Sequence, residues 1–485
     1  MNSRINWNLL VNAMLSGFLT GAAGRIFVIS LPTLAHNLGT DITGMSWALI
    51  AYPLATVSLS LIFGRVGDLY GRQSVFAVGF AVFTTASFLC GFSQNIFHLF
   101  LFRIFQGVGA AMTQAQGRAL AMEAVPEDFV GRAQGWVTVA HQVGFLLGPG
   151  LGGLIIDYIH WRGVFFFLVP IGAASTLVTW REMRKSTIRR VVSGKRADSS
   201  VDYLGSAYLI GTTVTLIAIL DRRVTEAIPA GWTLLLTLGF VGFILSFLVR
   251  ERTTSSPILD LSLFKIRMFA FSTLCLLMVS VSHSMTSFVF PFYLQEVLSL
   301  SPSFIGLLYL APPLCVMAFS PVGGHLSDKV GPTLPATAGL GLATLAFLIG
   351  VFLRPDSHWW APILVLCLAG AGDGLFSAPN HAAMITAVPR EHRGVATGAV
   401  NMMFGLGGVF GFSLGSFVLT QGFRFYTGDA LATPTPANPA PFVAALNATF
   451  LVISIIALAA TFFSLIRGKS QTAPPGPLPH LSPSD

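Results

Sequence analysis

Charge is what this sequence has least of. Only 10% of its 485 residues are Asp, Glu, Lys or Arg, where soluble domains average about a quarter. Hydrophobic residues make up 53%, and the mean hydropathy is +0.73. An ordinary water-soluble globule is excluded. Cysteine is scarce too. Cys90, Cys275, Cys315 and Cys367 each sit in an apolar stretch with no CxxC or Cys/His spacing, so neither disulfides nor metal ligands are expected. No GxxxxGK[ST] loop is present, which argues against ATP hydrolysis. Ser, His and Asp are scattered over separate stretches, so no catalytic residues are expected, and the protein reads as no enzyme. It needs no cofactor; its energy must come from an ion gradient or from its substrate's own. No cleavable signal peptide is evident, because the first apolar stretch is long enough to span a bilayer.

What is present is long apolar runs. Segments of about 18 to 25 residues mark membrane spans, and fourteen are expected, near 10–33, 45–63, 74–92, 97–120, 133–156, 163–180, 203–220, 232–249, 268–290, 303–325, 333–353, 360–385, 395–420 and 443–466. The 41 phenylalanines suit a lipid-facing surface. The net charge of +8 would suggest nucleic acid until its placement is considered. With both termini on one side, that side holds 21 of the 28 Lys and Arg residues and the other five; Arg25 and Arg103 lie within spans. By the positive-inside rule both termini are cytoplasmic, and the basic stretch 181–196 is a lipid-facing linker with no nucleic acid partner. The outer loop 422–441 and the tail from 471 are rich in small residues and proline and are expected to be flexible.

The chain is organised around Gly144–Gly153, reading GFLLGPGLGG. Glycine costs roughly 1 kcal/mol against alanine in a helix and proline about 3, so a soluble helix rarely carries so many. In a bilayer, small residues let helices approach closely. Gly144, Gly148 and Gly152 share one face, with Pro149 beside them and Gly153 following, and predict a close-packed seam bent at the proline. A second copy follows: a shift of 263 places Gly407, Gly411 and Gly415 on these glycines, and Gly370 and Gly372 on Gly107 and Gly109. A shift of 260 places Gly324, Asp328 and Gly331 on Gly64, Asp68 and Gly71. The chain therefore reads as a duplication, the plan of many secondary transporters. The offset exceeds six spans, so spans 7 and 8 are an inserted hairpin. The expected fold is an all-α integral membrane protein of two pseudo-symmetric six-helix bundles, 1–200 and 263–470, a hairpin at 201–262, and a disordered cytoplasmic tail at 471–485.

Gly64–Arg72 joins spans 2 and 3; its glycines, Asp68 and Arg72 suit a latch between helix ends. These features together resemble the major facilitator superfamily over nearly the whole chain. Gly64–Arg72 is similar to its loop motif, Arg103 with Gln106, Gly107 and Gly109 to its fourth-helix motif RxxQGxG, and Gly144–Gly153 to its antiporter motif GxxxGPxxGG. Trp161, Arg162, Phe165 and Phe166 resemble the entry to helix six in the fourteen-helix drug:proton antiporter branch. The branch usually carries an aspartate on helix one, where this chain has Ala23, with Arg25 two residues on. The Asp-Arg pair of the loop motif is here Asp68-Leu69, and the usual helix-six asparagine is absent from 165–170.

Charges inside spans are expensive and read as functional by default. Asp373 sits about 13 residues into span 12, roughly 20 Å from its outer end by helical rise. The resemblance implies that spans 1, 4, 9 and 12 line a central cavity. Asp373 is then the expected proton-binding group in place of the missing acid, Arg103 a partner in proton transfer supported by Gln106, and Arg25 a cavity cation. His141 and His283 are the intramembrane histidines that could titrate in the cavity. Trp47, Tyr52, Phe288 and Tyr293 could stack on an aromatic substrate, although such residues are common interface anchors. The resulting expectation is export of amphipathic, drug-like small molecules across a bacterial inner membrane by proton antiport and alternating access. An organic-anion or metabolite transporter is the alternative that Arg25 favours; a receptor or lipid-handling scaffold that binds without turnover is the alternative of another class. The expected partners are a small-molecule substrate, protons and the lipid bilayer, with a periplasmic adaptor left open.

Overall fold

A computed structural model describes residues 5–126, 129–186, 203–220, 230–254, 261–388, 393–435 and 438–468. Among them the chain is helical with no strand: α1 (Trp7–Asn37), α2 (Ile42–Tyr70), α3 (Arg72–Gly91), α4 (Ile96–Glu123), α5 (Val130–Tyr158), α6 (Gly163–Phe166), α7 (Leu168–Ser186), α8 (Tyr203–Leu220), α9 (Ala230–Thr253), α10 (Arg267–Phe292), α11 (Pro302–Leu308), α12 (Ala311–Val330), α13 (Thr333–Gly350), α14 (Trp360–Thr386), α15 (Arg393–Thr427) and α16 (Pro439–Ile466). The helices α6 and α7 share one span, as do α11 and α12. Thirteen segments of the described residues are long and apolar enough to cross a bilayer, and Ala207–Leu216 within α8 is a shorter apolar stretch at the remaining expected position. Helices are the physical answer here, since lipid offers backbone N–H and C=O groups no partner outside the segment itself. Short polar residues start several of them: Asp41 accepts from the Gly44 amide at 2.8 Å, and Asn95 from the His98 amide at 2.8 Å.

The duplication is visible in how the helices touch. Gly144, Gly148 and Gly152 face Phe18, Ala22, Arg25 and Ile26 of α1, so the seam joins α5 to α1. Their echoes Gly407, Gly411 and Gly415 face Leu277, Ser280, Val281, Ser284 and Met285 of α10, joining α15 to α10. Gly79 packs on Gly109 between α3 and α4, and Gly339 on Gly372 between α13 and α14. Gly71 and Gly331, an echo at the loop motif, both cap helices with positive φ, +94° and +84°. A side chain would strain that conformation. The repeated glycines of this loop serve a turn.

By the lysine and arginine bias, the face carrying the loop 38–41 is taken as outer. There the two halves meet. Phe27, Leu31, Leu34 and Leu49 of the first share one apolar cluster with Phe288, Phe292 and Tyr293 of the second. Gly306 of α11 lies against α5, where an added Cβ would come 2.6 Å from the Pro149 carbonyl oxygen; Gly153 lies as closely against Pro302. Asp157 accepts from the Ser303 amide at 2.7 Å. At the central axis α1 meets α10 through Arg25 Nη1 to Ser287 Oγ, 2.9 Å, and Gln295 Nε2 to Thr33 Oγ1, 2.9 Å. Both pairs are 262 residues apart. That separation is close to the 260 and 263 offsets of the repeat, as expected of contacts near an axis relating two copies. Beyond the outer side α12 leaves α5 and exposes Leu314, Met317, Val322 and Val330. The two halves are therefore closed against each other on the face carrying the loop 38–41. Toward the inner ends the hairpin closes against both halves: Tyr208 and Leu209 of α8 share an apolar cluster with Val57 of α2 and Met402 and Met403 of α15.

At the inner ends, Arg72 Nη1 pairs with Glu123 Oε1 at 2.8 Å, the side chains being 37% and 48% exposed. This latch ties α3 to α4 within one half. Exposed pairs contribute little, so Glu123→Gln should change unfolding stability by less than about 1 kcal/mol, as thermal unfolding in detergent would check. A larger loss would mean that the pair anchors more than two helix ends.

Candidate transport site

The middle of the second half holds the expected acid. Asp373 on α14 and His283 on α10 line one pocket, with Ser282, Leu340, Phe347 and Phe376 among its walls. The Asp373 carboxylate has no hydrogen bond or ion pair among the described residues, and His283 has only its edge-on ring contact with Phe347, centroids 6.5 Å apart. A carboxyl and an imidazole thus face the same small space within the bundle of α10, α13, α14 and α16. Arg25, across the junction, makes no ion pair with Asp373 among the described residues and acts on it only at longer range. Two opposite charges in a medium of low dielectric stabilise one another over distances at which water would screen them.

Arg25 lies on α1 with its guanidinium 3.9 Å from the Phe145 ring centroid of α5. Its single hydrogen bond goes to Ser287. Tyr309, between α11 and α12, is the other group that bears on it. The Tyr309 hydroxyl is buried and has no hydrogen-bond partner.

Arg103 and Gln106 are elsewhere. Arg103 is 1% exposed and Gln106 0%, so neither lines an open cavity, contrary to the sequence expectation for Gln106. Arg103 Nη1 donates to Gln106 Oε1 at 2.7 Å, and Gln106 Nε2 to Ser87 Oγ at 2.8 Å. The guanidinium lies 4.3 Å from the Phe27 ring centroid and 4.6 Å from that of Tyr52. α3 covers Gln106, packing on α4 through Gly79 and Gly109, while Phe27 of α1 and Tyr52 of α2 cover Arg103. His141 likewise belongs to the α1 seam: its backbone and Cβ abut Gly17 and Gly21, and its Nδ1 is 3.3 Å from Gln142 Oε1. Of the aromatics considered, Tyr52, Phe288 and Tyr293 are buried, the last donating to the Arg354 carbonyl at 2.8 Å, while Trp47 meets Phe100 edge-on.

Of the motif residues, Gly64 and Gly324 have open space beside them, Asp328 is exposed at the inner end of α12, and the Asp68 side chain lies outside the described residues. Three groups were not read from the sequence. Ser287 stands 262 positions from Arg25, near the repeat offsets of 260 and 263 but at neither. Tyr309 carries no such signal. Arg467, counted only as an inner charge, is buried, donating to Asn380 Oδ1 at 2.9 Å and Ser272 Oγ at 3.2 Å. Among the described residues no cluster of His, Cys, Asp and Glu is suited to hold a metal.

Comparison with known proteins bears on the whole chain. The model of the family described as Major Facilitator Superfamily matches twice, over residues 13–272 and 272–484. Similar curated proteins include the riboflavin transporter RibZ of Clostridioides difficile, 28% identical over 87% of this chain and 91% of that protein. Another is the multidrug resistance protein Stp of Mycobacterium tuberculosis, 31% identical over 84% of this chain and 75% of that one. The multidrug transporter MdtP of Bacillus subtilis is 25% identical over 98% and 84%. Among solved structures, a bacterial homologue of the human lysosomal transporter Spinster superposes with a TM-score of 0.66 at 14% identity, over 95% of this chain and 96% of that one. That likeness concerns the fold alone.

Proposed function

The chain belongs to the major facilitator superfamily, and from that premise we propose that it exports amphipathic small molecules by proton antiport, with Asp373 as the proton-binding group. It is a multi-pass membrane transporter, not an enzyme. The observation that carries the reading is the Asp373 carboxylate, mid-span, without a hydrogen bond or ion pair among the described residues, lining one pocket with His283. An ionised carboxylate there is costly, and Arg25 of the other half acts on it from beyond ion-pair distance. Proton uptake at Asp373 removes that attraction across the junction, so the protonated and ionised proteins favour different arrangements of the halves. Exchange of substrate for proton then drives a cycle in which the halves rock about α1 and α10. The relatives named for multidrug resistance support an amphipathic substrate; the one named a riboflavin transporter supports a polar, planar one. The bias of 21 to five in Lys and Arg supports residence in a bacterial inner membrane with both termini cytoplasmic. A periplasmic adaptor would have to bind the outer loops.

Proteoliposomes with an imposed pH gradient test this. Native protein should accumulate ethidium against its gradient. Asp373→Asn should still bind ethidium but lose gradient-driven uptake by about tenfold or more, a typical coupling free energy. A variant as well coupled as the native chain would remove Asp373 from the mechanism. Transport that ignored the pH gradient altogether would remove antiport.

A further inference from the structure

We propose that His283 is a second proton-binding residue, which shares one proton with Asp373 through a single water held between α10, α13, α14 and α16. The inference rests on the antiport reading and assigns the other half of its proton site. Every residue lining this cavity belongs to the second half of the chain. Its volume is about 10 Å³, the size that admits one water, whereas a drug-sized ligand needs about 300 Å³ or more. The transported compound therefore binds elsewhere, and the cavity serves something much smaller. Its polar groups are the Asp373 carboxyl, the His283 imidazole and the Ser282 hydroxyl, while Leu340, Phe347 and Phe376 are apolar. A hard divalent cation takes about six oxygens or more, which one carboxylate and one hydroxyl do not supply. A water needs only about two to four partners, and these three groups provide them.

The hydrogens fit as well. Ser282 Oγ donates its own hydrogen to the Met278 carbonyl at 3.0 Å, so toward the cavity it can only accept. Ionised, Asp373 also only accepts. A water that donates one hydrogen to each of these oxygens keeps its own oxygen to accept from a ring N–H of His283. Proton transfer along that line balances. The His283 N–H bond breaks as the water oxygen takes its proton, and the water passes the hydrogen aimed at Asp373 to the carboxylate. The water is regenerated, imidazolium becomes imidazole, and carboxylate becomes carboxyl. With one proton the pair is neutral overall in either form. Without it a lone carboxylate remains among apolar walls, and with two a lone cation; both are costly there. The pair thus loads and unloads one proton per cycle. The other walls carry no ionisable group, and Arg25 of α1 acts on Asp373 from beyond ion-pair distance.

The test uses the full chain in nanodiscs and proteoliposomes, with protons and ethidium as the probes. In acid-induced infrared difference spectra, the carboxyl C=O band of Asp373 is the one missing from Asp373→Asn. His283→Phe fills the cavity and removes water and imidazole together, so the band should move to higher frequency as its hydrogen bond is lost. His283→Gln keeps a partner for the water but cannot carry a proton, and its band should stay near the native position. The same variant should lose pH-gradient-driven ethidium uptake by about tenfold or more, a typical coupling free energy. It should keep ethidium-for-ethidium exchange, which turns over no proton. A merely structural histidine would lower both fluxes together. Saturating ethidium can reduce the intensity of the band but should not move it, since proton and compound bind apart. A band that ignores His283→Phe would overturn the proposal, as would gradient-driven uptake in His283→Gln equal to native, or a band that ethidium shifts as His283→Phe does. Should His283→Phe not fold, the split between the two fluxes in His283→Gln decides. Native transport that ignored the pH gradient would sink the antiport reading alone, because the infrared band still reports whether the pair shares a water.

Discussion

Gly153→Val should give a folded protein that no longer closes on its outer side, whereas Gly144→Val should fail to accumulate in folded form. The two glycines lie in one motif, nine residues apart in the sequence, and their added atoms meet different halves. A Cβ at Gly144 would overlap the Phe18 carbonyl and come 3.0 Å from the Ala22 amide nitrogen, both on α1 of the same half. Neither backbone can yield without opening the α1–α5 seam, on which that bundle depends. A Cβ at Gly153 would overlap the Pro302 carbonyl and come 2.9 Å from the Ser303 Cα, both in the other half. That clash is relieved when the halves part. Overpacking of about 1–3 kcal/mol moves a two-state equilibrium by roughly 5- to 150-fold. Spin labels at Ile159 and Phe352, both exposed, would report a longer outer distance in Gly153→Val, with the native cysteines replaced. An unchanged distance distribution would mean that this contact does not set the closure.

Arg103→Ala should cost about 3–5 kcal/mol, the range for large buried truncations. The side chain fills a space between Phe27 and Tyr52, and its stem and guanidinium pack there as much as they bond. Among the described residues no carboxylate pairs with it, and Nη2 has no hydrogen bond. Arg103→Met keeps most of the volume and discards the desolvated charge, which can be neutral or better. It also leaves Gln106 Oε1 without its donor, a loss of about 1–3 kcal/mol. The order of unfolding midpoints in detergent should be native, then Met, then Ala. An Ala variant as stable as native would show that this arginine is held for transport and not for the bundle.

The fourteen expected spans and the duplicated plan follow from features that survive without coordinates. A bilayer forces about 20 apolar residues per helix, so hydropathy alone locates the helices. A close approach between backbones permits only glycine, so Gly144, Gly148 and Gly152 marked their seam before its partner was known. The partner helix was a different matter. Nothing in the spacing said that these glycines face α1 while Gly150 and Gly153 face the other half, because helical periodicity gives a face and not what lies against it. Among the polar residues, the same limit separates Asp373 from Gln106. Both are rare polar groups in apolar runs, yet Asp373 opens on a pocket and Gln106 is sealed beneath α3.

The sequence by itself determined where the apolar helices run, the repeat and the cost of each buried charge, since those depend on local composition against a fixed solvent. Only the tertiary structure decided which charges share a space. Asp373 shares a pocket with His283 through packing within the second bundle, and Arg25 meets Ser287 where the two bundles join. Residues separated by 262 positions become neighbours across the junction, and a tyrosine between two leucines becomes a buried hydroxyl with no partner among the described residues. Such meetings are long-range packing outcomes, and no local pattern encodes them.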